Sequence, residues 1–185
     1  MEMGLLTKYL EKEREKRIKP YVKGNVLDIG CGPAKAINYP GVTSYFGVEF
    51  SKDFVENLRK IHKNKNAKFA SMNLETDKIN LPHKVDVVIM SAFLEHIANY
   101  ENPIKQAINN LNEGGKIIIT TPSRFGHKVH AVGADIGLFS KEAKEDHKAI
   151  LSKNDFKRIA IKYNLKLEKF RYFQLFCNQW VVFEK

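Results

Sequence analysis

The chain has 185 residues, enough for one domain that buries roughly two thirds of its unfolded surface. Its 43% hydrophobic and 11% aromatic content excludes an intrinsically disordered chain. Lys and Arg number 31 against 21 Asp and Glu, a net charge of +10; the lysines are dispersed, so the excess reads as solvated surface, and a nucleic-acid partner is admitted but not favoured.

Met3, Leu6, Tyr9 and Leu10 recur at helical spacing and predict an amphipathic helix over 3–18. Its charged end, Glu11 to Lys19, reads as a solvated face, and Pro20 stops it. Asn25–Ile29 and Ser44–Phe50 read as strands. Ser51 is placed to cap a helix running to about His62, with Phe54, Val55, Leu58 and Ile61 inward. Ala67–Ser71 and the β-branched run Val85–Met90 are further strands. Glu101–Leu111 is expected to be a helix with Ile104, Ala107, Ile108 and Leu111 inward, closed by Asn112-Glu113-Gly114-Gly115. Lys116–Thr121 is a fifth strand. Ser152, with Asp155 three residues on, opens a last helix whose core face is Phe156, Ile159, Ala160 and Tyr163. Lys166–Phe173 and Asn178–Glu184 read as two strands joined by a tight turn.

Strands alternating with helices predict an α/β fold: a doubly wound sheet, mostly parallel, with an antiparallel C-terminal hairpin strand. Ligands of such sheets bind beyond the carboxyl ends of the strands, which here fall just after Ile29, Phe50, Ser71, Met90 and Thr121. Two cysteines, Cys31 and Cys177, cannot make a disulfide framework and fit a reducing compartment. No apolar run approaches the roughly 20 residues that span a bilayer, and the N-terminus lacks the pattern of a secretion signal. A cytoplasmic protein without membrane insertion is expected.

The first strand runs into Asp28-Ile29-Gly30-Cys31-Gly32-Pro33-Ala34. Glycines after a strand let the backbone turn tightly and approach a ligand. The carboxylate two residues before Gly30 suits a cation better than a pyrophosphate. The dinucleotide pattern G-x-G-x-x-G would need glycine at 35, where Lys35 stands. Glu49 ends the next strand about 20 residues further on, where an acid grips a ribose diol.

Val26-Leu27-Asp28-Ile29-Gly30-Cys31-Gly32 resembles the first motif of class I S-adenosylmethionine-dependent methyltransferases. Tyr45-Phe46-Gly47-Val48-Glu49-Phe50-Ser51 is similar to their second-strand motif, and the stretch from Val85 to Ile97 to their fourth, nearest the branch of small-molecule and quinone-precursor enzymes. Leu111-Asn112-Glu113-Gly114-Gly115 and the following strand resemble their fifth. The resemblance implies a Rossmann-like fold, one methyltransferase domain over 1–185 with an N-terminal helix over 1–19, and S-adenosylmethionine as cofactor. It implies that Gly30, Cys31 and Gly32 approach the methionine part, that Asp28 orients its amino group and that Glu49 takes the ribose hydroxyls. Phe50 would lie on the adenine, flanked by Met72 and Leu74, with Asn73 at its amino group and Ser91 at the methionine tail. Some relatives hold a divalent ion through this fourth motif. Glu95 and His96 match two of its ligand positions, but Ala92 stands at the third, so no metal is expected.

A base is needed only where the acceptor is a hydroxyl or similar protonated group. The candidates are His96, His127, His130 and His147, of which His147, His130 and His96 are taken as the catalytic set. His127 and His130 stand two residues apart, yet no thiolate or third ligand stands nearby at metal-site spacing. Residues 123–151 form a connection far longer than the usual 4–6 residues or so, and are expected to close over the acceptor. The expected function is methyl transfer to oxygen or nitrogen of a small-molecule acceptor. RNA or protein methylation and a non-catalytic S-adenosylmethionine-binding regulatory module are the alternatives, with a nicotinamide oxidoreductase further behind. The oligomeric state is open.

Overall fold

The computed structural model describes residues 5–63, 65–127 and 148–185. Seven strands make one sheet: β1 (Gly24–Ile29), β2 (Val42–Glu49), β3 (Ala67–Ser71), β4 (Val85–Ser91), β5 (Leu111–Pro122), β6 (Lys166–Phe173) and β7 (Asn178–Glu184). Their order is β3-β2-β1-β4-β5-β7-β6. The five strands from β3 to β5 are parallel, and β7 runs antiparallel to both β5 and β6.

Alternate residues of these apolar runs feed two separate cores, one on each face. Leu27, Ile29, Val88, Met90, Ile117 and Ile119 face one layer, where α3 (Glu101–Asn110) supplies Ile104 and Ala107 and α4 (Lys153–Lys162) supplies Phe156 and Ile159. Val26, Val87, Ile89 and Ile118 face the other, where α2 (Lys52–Ile61) supplies Val55 and Leu58. Both predicted caps form. The Ser51 hydroxyl accepts from Phe54 N, and Ser152 and Asp155 bond reciprocally at the start of α4.

Several local expectations are corrected. On α2, Phe54 and Ile61 are exposed, because the helix lies over the sheet edge at β2 and β3 and only the Val55–Leu58 stripe meets strands. Helix α3 ends at Asn110, and Asn112 to Gly115 do not close it. Leu111 is fully buried and already pairs with Val85, so these residues bulge inside β5, with Gly114 at φ 74°. Between β1 and β2 the chain makes only a 3-10 turn, Lys35–Asn38. The stretch from β3 to β4 carries no helix. Side-chain amides of α3 hold it instead: Gln106 Oε1 accepts from Ile79 N, and Asn102 Nδ2 donates to Leu74 O. Among the described residues no helix is long and apolar enough to cross a membrane.

Helix α1 (Leu5–Ile18) passes into a 3-10 turn at Lys19–Tyr21. Ile18 and Val22 anchor it in the second core, Gln174 Nε2 donates to Leu10 O, and the Arg17 guanidinium lies 4.4 Å from the centre of the Phe173 ring. These contacts bring α1 beside the carboxyl ends of the central strands.

Candidate active site

The chain leaves β1 toward β2 and β3 on one side and returns to β4 on the other. The connections at the carboxyl ends of β1 and β4 therefore diverge, and a crevice opens between them. It is a cavity of about 840 Å³, walled by the ends of β1, β2 and β4, the stretch after β3, and α1.

The glycine turn shapes its floor. Gly30 (φ 71°) and Cys31 both donate their N–H to Val48 O, which folds the chain sharply off β1. A Cβ on Gly30 would stand 2.4 Å from the Phe93 ring, so any side chain there would push into the turn after β4. Gly32 (φ 47°) meets nothing within 4 Å in that direction, which leaves its backbone facing open space. Gly32 N donates to Glu49 Oε2 at 3.1 Å, and Phe50 N donates to Glu49 Oε1 at 2.8 Å. The Glu49 carboxylate is thus fixed by two backbone donors, and each oxygen keeps accepting capacity for a ligand.

Asp28 is buried on the other side of the turn. Tyr45 donates its hydroxyl to Asp28 Oδ2 at 2.6 Å. Burial pushes the Asp28 carboxyl up to about 7; the Tyr45 hydrogen bond pulls it down, and the nearby Glu49 charge raises it further. Burial, with Asp28 alongside, also pushes the Cys31 thiol up, so Cys31 is a small packing group and not a thiolate. After β4, Ala92 takes the left-handed conformation (φ 51°) with its N–H on Thr120 O. Beside it the Ser91 and Thr120 hydroxyls share a 3.0 Å hydrogen bond.

Asp28, Gly30, Cys31, Gly32, Glu49, Phe50, Met72, Asn73, Leu74 and Ser91, named from the sequence as cofactor-binding, all line this one cavity. Phe50 is exposed at its mouth. The Asn73 Oδ1 accepts from Glu75 N, which holds that turn. His96 lines the cavity as an exposed residue, while His130 and His147, and most of the segment expected to close over the acceptor, lie outside the described residues.

Sequence reasoning missed other members. The charged end of α1 is not a solvated face: Glu11, Arg14 and Glu15 line the cavity. Lys35 Nζ pairs with Glu11 at 2.7 Å and Glu15 at 2.9 Å, tying the helix to the glycine turn. The i, i+4 spacing of Glu11 and Glu15 was the available signal, but its partner lies across the fold. Tyr45 was missed as well. Asp28 pairs with Gly47 in the register, and Tyr45 stands two residues before it on the same face.

A family model described as a methyltransferase domain matches residues 5–169. The chain belongs to that family. The methyltransferase also shares its fold with solved structures. One is the complex of the Haloferax volcanii Trm112 methyltransferase activator with a methyltransferase: 15% identity, 96% of this chain and 91% of that one covered, TM-score 0.73. Two others are S-adenosylmethionine-dependent methyltransferases. That of Mesorhizobium loti has 17% identity over 98% and 100% of the two chains, with TM-score 0.70. That of Clostridium acetobutylicum has 13% identity over 96% and 89%, with TM-score 0.66. No curated protein matches the chain. The methyltransferase is thus an enzyme with the Rossmann-like class I fold, and its cofactor is S-adenosylmethionine.

Proposed function

We propose that this methyltransferase carries a methyl group from S-adenosylmethionine to oxygen or nitrogen of a small-molecule acceptor. The cofactor is held by the ten residues named above. The observation that carries the reading is the pair of carboxylates, Asp28 and Glu49, at the ends of adjacent parallel strands on either side of an open glycine turn. Asp28 suits the ammonium of the methionine part. Glu49, already oriented by Gly32 N and Phe50 N, suits two vicinal hydroxyls. The open side of Gly32 admits a ligand where a Cβ would project. The cavity volume lies within the range of roughly 300–1,000 Å³ typical of small-ligand sites, which suits a cofactor of this size.

When bound, S-adenosylmethionine would supply an electrophilic methyl carbon on its sulfonium and a neutral thioether as leaving group. The protein's share is placement, worth up to roughly 7–11 kcal/mol of the barrier. A proton lost from an acceptor hydroxyl goes to a histidine: His96 lines the cavity, and His130 and His147 are the other candidates.

Isothermal calorimetry with S-adenosylmethionine and S-adenosylhomocysteine tests the site. Glu49→Ala weakens both by about 1.5–3 kcal/mol, the worth of hydrogen bonds to a charged group. Unchanged affinity removes Glu49 from the cofactor and with it the orientation proposed here.

A further inference from the structure

The cavity also carries basic side chains in its lining. Arg14 of α1, His96 after β4 and Lys148, where the described chain resumes before α4, all line it. They come from three separate parts of the chain, and Glu95 ties His96 and Lys148 together. Glu95 is 2% exposed, and Thr121 Oγ1 donates to its carboxylate at 3.0 Å. Its backbone carbonyl accepts from Lys148 N at 2.7 Å and Ala149 N at 3.2 Å.

Glu11 and Glu15 are both engaged by Lys35. Among the described residues no carboxylate comes within ion-pair distance of the Arg14 guanidinium, and Glu95 lies behind the cavity wall rather than in its lining. Lys148 has a long, exposed contact of 3.5 Å to Glu75, of the kind that holds little energy. A half-buried guanidinium with five donors and no paired carboxylate is built to take a planar or tetrahedral anion.

We infer that Arg14, with Lys148 and His96 beside it, forms an anion-recognising acceptor subsite, so that the methyl acceptor carries a carboxylate or phosphoryl group. This rests on the cofactor reading above. In that reading Asp28 takes the ammonium and Glu49 the ribose hydroxyls of the cofactor, while Arg14, Lys148 and His96 supply further N–H donors to the same cavity. The methionine carboxylate of the cofactor is the competing anion for Arg14, and the variants below separate the two.

The test uses the full chain saturated with S-adenosylhomocysteine, titrated separately with inorganic phosphate and with succinate, followed by calorimetry and by protection of the Arg14 Nε–H in NMR. At least one of the two binds, and the arm that does identifies the anion. Arg14→Met weakens it about tenfold or more while S-adenosylhomocysteine affinity stays within about twofold, and Arg14→Lys recovers part of the loss. Thermal melts of both variants check that α1 remains docked. A labelled methyl-transfer screen gives its acceptor in the fraction of a metabolite extract retained by an anion exchanger. Loss of S-adenosylhomocysteine affinity in Arg14→Met assigns Arg14 to the cofactor and overturns the inference. So does the absence of any anion binding to the loaded protein, or an acceptor found only in the unretained fraction. Failure of the wild-type chain to bind S-adenosylhomocysteine sinks the cofactor reading first.

Discussion

In the proposed site, Asp28 makes cofactor binding sensitive to acidity. Its carboxyl titrates near 7 in the fold against an ordinary 3.8. Between those values the folded chain holds a proton that the unfolded chain has released. The group's contribution to stability is therefore complete below the lower value and is lost as pH rises through about 7. Cofactor binding runs the other way. An ammonium beside Asp28 favours its charged form, so S-adenosylhomocysteine affinity falls by up to about tenfold per pH unit below pH 7. Calorimetry across that range shows the inflection. Tyr45→Phe, which deletes the hydrogen bond that lowers this carboxyl, moves the inflection up, and Glu49→Ala, which deletes the charge that raises it, moves it down. An affinity flat with pH in the wild type separates Asp28 from the ammonium.

At the scale of elements, the capped helices and strands were legible because each carries its own signal. Ser152 and Asp155 announced α4 three residues apart, and the reciprocal hydrogen bonds are present. Ser152→Ala costs about 1 kcal/mol in urea denaturation. Phe156→Ala, at a fully buried position facing Phe170 and Phe183, costs about 3–5 kcal/mol. What the local pattern did not reveal depends on distant partners. Phe54 has the spacing of a core residue, but only the strand order, with β3 at the edge, leaves it uncovered. The charged half of α1 has the composition of a wet surface. Nothing near it in sequence says that Lys35, across the first strand, will fold it onto the site. The ten residues named in advance as cofactor-binding were carried by the family resemblance onto strand ends that converge by topology, whereas Arg14 and Lys148 reach the cavity through elements outside that rule.

Across the whole molecule, the excess of ten positive charges coexists with a cavity whose lining carries Glu11, Glu15, Asp28, Glu49 and Glu75. The lining also carries Arg14, Lys35 and Lys148, so five acids face three bases there and the basic excess lies outside the cavity. Outer and cavity charges act at different ranges. A surface field is screened beyond about 8 Å at physiological salt, whereas the enclosed carboxylates are screened much less. Raising salt from about 0.05 to 0.3 M therefore leaves S-adenosylhomocysteine affinity within about threefold, while any adventitious RNA retention falls by orders of magnitude. Filter binding beside calorimetry checks both.

The bond from Lys35 to Glu11 and Glu15 has a kinetic corollary. Because one side of the crevice is a helix fastened by this pair of ionic contacts, spent cofactor leaves more readily whenever the fastening loosens. Lys35→Met should shorten the residence time of S-adenosylhomocysteine in stopped-flow displacement far more than it slows its capture.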